Sequence, residues 1–155
     1  MKALVIMGVS GSGKTTIGQL LATQTGGKFL DGDDFHPPEN VAKMSAAIPL
    51  SDQDRQGWLE ALAELIGNAV HFTIIACSAL KASYRDILGG TQFVFLNGSS
   101  ELLTERIKQR TGHYMPPGLL QSQLDTLEVP KGVLTLDIGK SPEDLVQEIR
   151  HHFSI

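Results

Sequence analysis

Gly8-Val9-Ser10-Gly11-Ser12-Gly13-Lys14-Thr15 is the stretch on which the reading of this chain turns. It fits the pattern G-x-x-x-x-G-K-[ST], a loop whose backbone N–H groups cradle phosphates, and the pattern carries weight only between a strand and a helix. Here Lys2-Ala3-Leu4-Val5-Ile6-Met7 precedes it as a buried parallel strand, and Thr16-Ile17-Gly18-Gln19-Leu20-Leu21-Ala22 follows as the first turns of a helix. A phosphate resting there meets backbone donors at a helix N-terminus, where the helix dipole also favours negative charge. Gly8, Gly11 and Gly13 let the chain curl through φ values that a Cβ forbids. Lys14 is placed to reach the β- and γ-phosphates, and the Thr15 hydroxyl to ligate Mg²⁺. Ser10, Ser12 and Thr16 complete the segment expected to wrap the phosphates of a nucleotide.

Outward from this loop, short apolar runs alternate with helical patterns. After the first strand come Lys28-Phe29-Leu30, His71 to Ala76, Gln92 to Leu96 and Gly132 to Leu136. They are β-branched or aromatic and too continuous for half-exposed strands, so they predict a parallel sheet covered on both faces. Between them, Asp52 to Val70 places Trp58, Leu59, Leu62, Leu65 and Ile66 at helical spacing. Ser99 and Ser141 stand as N-caps of two later helices, Ser141 with Pro142 at the first helical position. The alternation predicts a three-layer α/β domain: a five-stranded parallel sheet with helices on both faces. Residues 1–155 form a single domain by this reading, with no repeat or linker.

Composition excludes several classes. A chain of 155 residues can bury roughly two-thirds of its unfolded surface and needs no staples. Its one cysteine, Cys77, cannot form an internal disulfide and suits a reducing compartment. The first apolar run is too short for a secretory signal, and no run reaches the ~18 residues of a membrane span. A cytoplasmic protein is expected, with no membrane partner. A net charge of −4 speaks against a nucleic-acid binder, which normally carries a basic face.

In a doubly wound sheet, ligands sit beyond the carboxyl ends of the strands. After the second strand stands Asp31-Gly32-Asp33-Asp34. Three carboxylates so close call for a cation or cationic side chains, and phosphoryl transfer needs both an acceptor-orienting carboxylate and a shell for Mg²⁺. The third strand ends in Cys77-Ser78, where the familiar metal-attending aspartate is missing, so Asp31 is the nearest candidate for that task. Lys81 and Arg85 are spaced i, i+4 and are expected to share one helix face toward an anionic substrate. Arg106 and Arg110 have the same spacing, ahead of the Gly- and Pro-rich Thr111-Gly112-His113-Tyr114-Met115-Pro116-Pro117. This predicts an irregular lid, about residues 111–130, with arginines at its hinge to neutralise a transferring phosphate and exclude water. Trp58 is expected in the core.

The segments Asp31 to Met44, Ala76-Cys77-Ser78-Ala79-Leu80-Lys81 and Arg110-Thr111-Gly112-His113-Tyr114-Met115-Pro116, with Pro49-Leu50 and Asp54-Arg55 between them, resemble the gluconate kinases (gluconokinases) through essentially the whole chain. The resemblance implies a P-loop domain like the shikimate and nucleoside-monophosphate kinases. It also implies transfer of the γ-phosphoryl of ATP to the 6-hydroxyl of D-gluconate, with Mg²⁺, giving 6-phosphogluconate, and a homodimer. Carried onto this chain, Lys14, Asp33 and Arg110 are catalytic, with Asp33 meeting the acceptor hydroxyl and Asp34 in reserve. Thr15 and Asp31 attend the metal. Arg55, Lys81 and Arg85 are candidates for the substrate carboxylate, and His36 and Ser78 for its hydroxyls. Arg106 and Arg110 clamp the nucleotide, and the loop Asp137-Ile138-Gly139-Lys140 approaches its base. The rival readings are a kinase of another small acceptor, such as shikimate or a nucleoside monophosphate, and a nucleotide switch. Against the switch, the chain has no N-K-x-D guanine signature.

Overall fold

The computed structural model describes residues 1–110 and 118–155. Its strands are β1 (Ala3–Met7), β2 (Lys28–Asp31), β3 (Thr73–Ala76), β4 (Gln92–Asn97) and β5 (Leu134–Asp137). They form one sheet in the order β2-β3-β1-β4-β5, parallel at every pairing. The helices are α1 (Lys14–Thr25), α2 (Pro38–Ser45), α3 (Asp52–Gly67), α4 (Ala82–Ile87), α5 (Ser100–Gln109), α6 (Leu119–Thr126) and α7 (Pro142–Phe153), with a 3₁₀ turn at Gly32–Phe35.

Strand periodicity explains the three layers. Successive side chains alternate faces, so Leu4 and Ile6 of central β1 enter one core with Ile17 and Leu21 of α1 and Leu145, Val146 and Ile149 of α7. Val5 and Met7 enter the other, with Trp58, Leu59 and Leu62 of α3 and Tyr84 of α4. A central strand buried on both faces reads as a continuous apolar run, which is why β1 carries no polar alternation.

Both expected serine caps form: Ser99 Oγ accepts from Leu102 N–H at 3.1 Å and Ser141 Oγ from Asp144 N–H at 3.2 Å. A further capping box, Ser51 with Asp54, starts α3. Several boundaries are tighter than the sequence suggests. β3 begins at Thr73, because its N–H makes the bond to Lys2 O that joins the ladder to β1. β5 begins after Gly132, whose φ of 72° turns the chain. α3 stops at Gly67, ahead of Asn68 and a largely exposed Val70, since Gly and Asn are poor helix formers.

The expectation of an irregular segment over 111–130 needs correction. Thr111–Pro117 lie outside the described residues, but Leu119–Thr126 is helix α6. Leu120, Leu124 and Leu127, spaced i, i+4, i+7, pack on the α1/α7 side of the core, and that burial holds the helix.

Candidate active site

The phosphate loop links β1 to α1. Gly11 and Gly13 take φ of 83° and 97°, left-handed values that make glycine the natural residue there. The Val9 carbonyl gathers three donors: Ser12 N–H at 3.2 Å, Ser12 Oγ at 2.7 Å and Lys14 Nζ at 3.0 Å. The Ser12 side chain is therefore buried and committed to the loop itself, while Thr15 and Thr16 are exposed in the first turn of α1. Gly8 leads out of β1, its backbone against Ser12 and the Leu96 carbonyl.

The acidic turn faces this lysine. Burial lowers the Lys14 pKa, and the charges of Asp33 and Asp31 oppose that shift while Arg110 adds to it. The phosphate-loop lysine and the acidic turn are thus electrostatic neighbours. Asp31 Oδ1 accepts the Asp33 N–H at 3.0 Å, which shapes the turn. Burial, and then the like charges of Asp33 and Asp34, raise the Asp31 pKa against the Asp33 N–H and Lys14. Asp33 is lowered, first by His36. Its side chain is 76% exposed, so solvent screens these effects. Asp34 is exposed beside it.

A buried frame holds the turn. Trp58 Nε1 donates to Gly32 O at 2.8 Å, and the His36 ring stacks on Trp58 with centroids 4.1 Å apart and planes 17° apart. The expected place of Trp58 in the core is right, and the indole also has this second task. His36 departs from the expectation of direct contact with substrate hydroxyls. Its side chain is only 3% exposed, with Nδ1 against Asn40 and Nε2 3.7 Å from Asp33 Oδ1.

Beyond β3 lies a cluster of cations. Lys81 Nζ donates to both oxygens of Asp52, at 3.0 and 3.1 Å. The Tyr84 hydroxyl donates to Asp52 Oδ1 at 2.5 Å, and Arg55 Nη1 donates to Tyr84 Oη at 3.0 Å. Arg55 and Lys81 both lie over the Tyr84 ring, 5.4 and 5.6 Å from its centroid. Lys81 and Tyr84 thus hold the Asp52 carboxylate directly, with Arg55 behind Tyr84, and its pKa is lowered first by Tyr84 and next by Lys81. Asp52 and Tyr84 were not singled out from the sequence, because only tertiary packing brings α3 against α4.

The expected shared face of Lys81 and Arg85 does not form. Lys81 is the N-cap of α4 in extended backbone (φ −103°, ψ 148°), so helical spacing does not apply to it. Arg85 turns instead to two carbonyls, Ala79 O at 2.7 Å and Glu128 O at 2.8 Å. Ala79 itself has φ of 45°, an uncommon value for a residue with a Cβ, and Arg85 pins its carbonyl. Ser78, half-buried, sits between this turn and β3.

On the opposite side, Arg106 Nη2 donates to Ile138 O, tying α5 to the loop after β5. Its guanidinium also lies beside Gly13. Arg110, exposed at the end of α5, sits near enough to Lys14 to lower its basicity. Sequence reasoning missed Gln123 of α6, whose Oε1 accepts the Ser10 N–H of the phosphate loop at 2.7 Å. A contact across 113 positions leaves no local signal.

Among the described residues, no three His, Cys, Asp or Glu side chains gather into a metal cage. Mg²⁺ does not need one: it is usually bound through one or two carboxylates, waters and substrate phosphates. The chemistry of the donor set fits such a role: Asp31 and Thr15 offer oxygens, and Asp31, raised first by burial and then by the like charges of Asp33 and Asp34, is a carboxylate that a divalent cation would favour in its charged form.

Comparison with known proteins agrees with this geometry. The sequence model of the family described as shikimate kinase matches residues 10–128. A gluconokinase of Gluconobacter oxydans is 44% identical, the alignment covering 97% of this chain and 90% of that protein. Among solved structures, a sugar kinase from Janibacter superposes with a TM-score of 0.92 at 44% identity, covering 100% of this chain and 95% of that one. A gluconokinase from Sinorhizobium meliloti gives 0.86 at 47% identity, covering 94% and 87%. Likeness at this identity, over nearly the full length of both partners, goes beyond a shared P-loop fold: the chain belongs to the gluconokinase family of small P-loop kinases.

Proposed function

We propose that this enzyme transfers the γ-phosphoryl of ATP to the 6-hydroxyl of D-gluconate, releasing ADP and 6-phosphogluconate. The observation that supports the choice of acceptor is the chain of donors around the Asp52 carboxylate: Lys81 and the Tyr84 hydroxyl donate to it directly, and Arg55 stands behind them on Tyr84 Oη. A site that holds one carboxylate with an ammonium and a phenol, and keeps a guanidinium beside them, is chemically suited to a second carboxylate, and a sugar acid brings one. Asp33 lies between this cluster and Lys14 in function: it orients the acceptor hydroxyl, with Asp34 as its neighbour in reserve. Lys14 and Arg110 neutralise the charge of the phosphoryl in flight, and Arg106 helps hold the nucleotide beside Gly13. The residues Gly8, Ser10, Gly11, Gly13, Thr15 and Thr16 supply the cradle. Ser78 remains a candidate for a substrate hydroxyl, whereas Arg85 serves by fixing the Ala79 turn.

Thr15 and Asp31 would hold Mg²⁺, which would supply charge neutralisation at the reacting phosphoryl. The transition state of such transfers is loose, so positioning and charge matter more than a strong base. A segment of about 111–130 acts as a lid by this reading. A cytoplasmic homodimer without nucleic-acid or membrane partners completes it.

The test is an acceptor screen with ATP and Mg²⁺, reading ADP release on gluconate, other sugar acids, shikimate and nucleoside monophosphates side by side. Gluconate should be preferred by kcat/KM. Preference for shikimate or a nucleoside monophosphate would replace this reading, and ATP hydrolysis without acceptor dependence would point to a nucleotide switch.

A further inference from the structure

Asn40 is buried (3% exposed) although it belongs to a short surface helix, α2. A buried carboxamide is retained when its donors and acceptors are used, and here the partners define its task. Asn40 Nδ2 lies 2.8 Å from the Asp54 carbonyl oxygen. A carbonyl can only accept, so the atom facing it must be the NH₂ group, and the orientation of the amide is settled. The second hydrogen of that NH₂ points to His36 Nδ1, 3.2 Å away. Nδ1 must then accept, so the ring proton of neutral His36 sits on Nε2. Nε2 is the nitrogen that faces Asp33 Oδ1, 3.7 Å away across an exposed carboxylate.

The plane of the ring is set by its stacking on Trp58, which is itself anchored to Gly32 O, and the Asn40 contact selects which edge of that plane faces α2. The Asp54 carbonyl that sets Asn40 lies in the first turn of α3, the turn that carries Arg55. Asp54 is also held by Lys43 of α2, at 2.9 Å to each oxygen. The proton on His36 is thus tied to the docking of α2 on α3.

We propose that Asn40 is a positioning residue: by fixing the tautomer of His36 it aims an Nε2–H donor at Asp33 and so orients the carboxylate that meets the acceptor hydroxyl. This rests on the reading of Asp33 given above. The principle is that of a catalytic imidazole whose tautomer is imposed from behind, applied here to a histidine that directs a carboxylate rather than abstracting a proton.

Two measurements test it. Long-range ¹H–¹⁵N correlation spectra of the wild-type protein should show His36 protonated at Nε2 and bare at Nδ1. A proton on Nδ1 of the neutral ring overturns the proposal, whatever the acceptor proves to be, so this result stands apart from any failure of the functional reading. The second is a kinetic cycle. Asn40→Leu should lower kcat about tenfold with KM for ATP within about twofold, as for loss of an orienting partner. In a His36→Gln background, where the side-chain NH₂ offers Asp33 a donor without any tautomer to choose, Asn40→Leu should change kcat by less than about twofold. An equal loss in both backgrounds means Asn40 merely braces α2 against α3, and the proposal falls. If Asn40→Leu does not fold, Asn40→Asp, which keeps the shape but has no hydrogen to give, should move the proton to Nδ1 in the same spectra. A ring still protonated only at Nε2 would overturn the assignment.

Discussion

Gly32→Ala should damage turnover far more than it damages the fold. A Cβ at Gly32 would stand 2.6 Å from the Ala76 carbonyl oxygen, against 3.4 Å for the near edge of ordinary contact. The shortfall is about 0.8 Å, and both parties are backbone: β2 and β3 pair at Asp31↔Ala76, the last rung of that ladder. Neither can yield alone, so the strands part or the turn moves. Overpacking of this kind costs about 1–3 kcal/mol, which for a domain of this size lowers Tm by roughly 2–12 °C. The turn that moves carries Asp31 and Asp33, and displacement of a reacting group by ~1 Å can cost about 10²-fold in rate. The assay is kcat for gluconate beside urea unfolding and ADP binding by calorimetry. The expected pattern is a hundredfold drop of that order in kcat, an intact cooperative transition and near-normal ADP affinity. A variant with kcat within twofold of wild type would refute the idea that Gly32 is required by its close approach to β3.

Three further outcomes follow from the site. Asp33→Asn should lower kcat by about 10²- to 10⁴-fold with little change in KM for ATP; near-normal kcat removes Asp33 from the catalytic set and transfers the role to Asp34. Lys81→Ala should raise KM for gluconate about tenfold and leave kcat almost unchanged, the pattern of lost uniform binding; an unchanged KM rejects the carboxylate-binding role. Burial pushes the Cys77 thiol from its ordinary 9.0 up to about 12, so iodoacetamide at pH 8 should leave the folded protein unmodified and label it only in urea. Because the folded pKa is raised, this thiol's contribution to stability is complete below pH 9.0 and declines as pH rises toward about 12. Rapid labelling of the native protein would contradict its burial.

Much of this protein was legible in its sequence because the signals are local. A strand must bury both faces at the centre of a parallel sheet, so Leu4-Val5-Ile6-Met7 reads as β1. A phosphate cradle needs glycines at fixed offsets and a lysine at its end, so Gly8 to Thr15 names its own chemistry. Serine caps act within three residues, and Ser99 and Ser141 behave as their neighbours predict. The clustering of Asp31, Asp33 and Asp34 at a strand end was visible for the same reason.

What tertiary structure alone decided is how distant side chains share atoms. The sequence suggested a common face for Lys81 and Arg85, but α4 begins one residue too late, and the two part toward Asp52 and toward the Ala79 and Glu128 carbonyls. It offered His36 as a substrate ligand; packing on Trp58 turned it into a buried link between Asn40 and Asp33. It gave no hint of Gln123 on the Ser10 amide, or of Tyr84 between Arg55 and Asp52. Local periodicity and turn chemistry are written in neighbouring residues, so the sequence by itself determined the sheet, the loop and the class of chemistry. Hydrogen-bond partnership depends on which atoms meet once the helices are docked, so only the folded chain decided which charged residues pair with one another and which hold the turns in place.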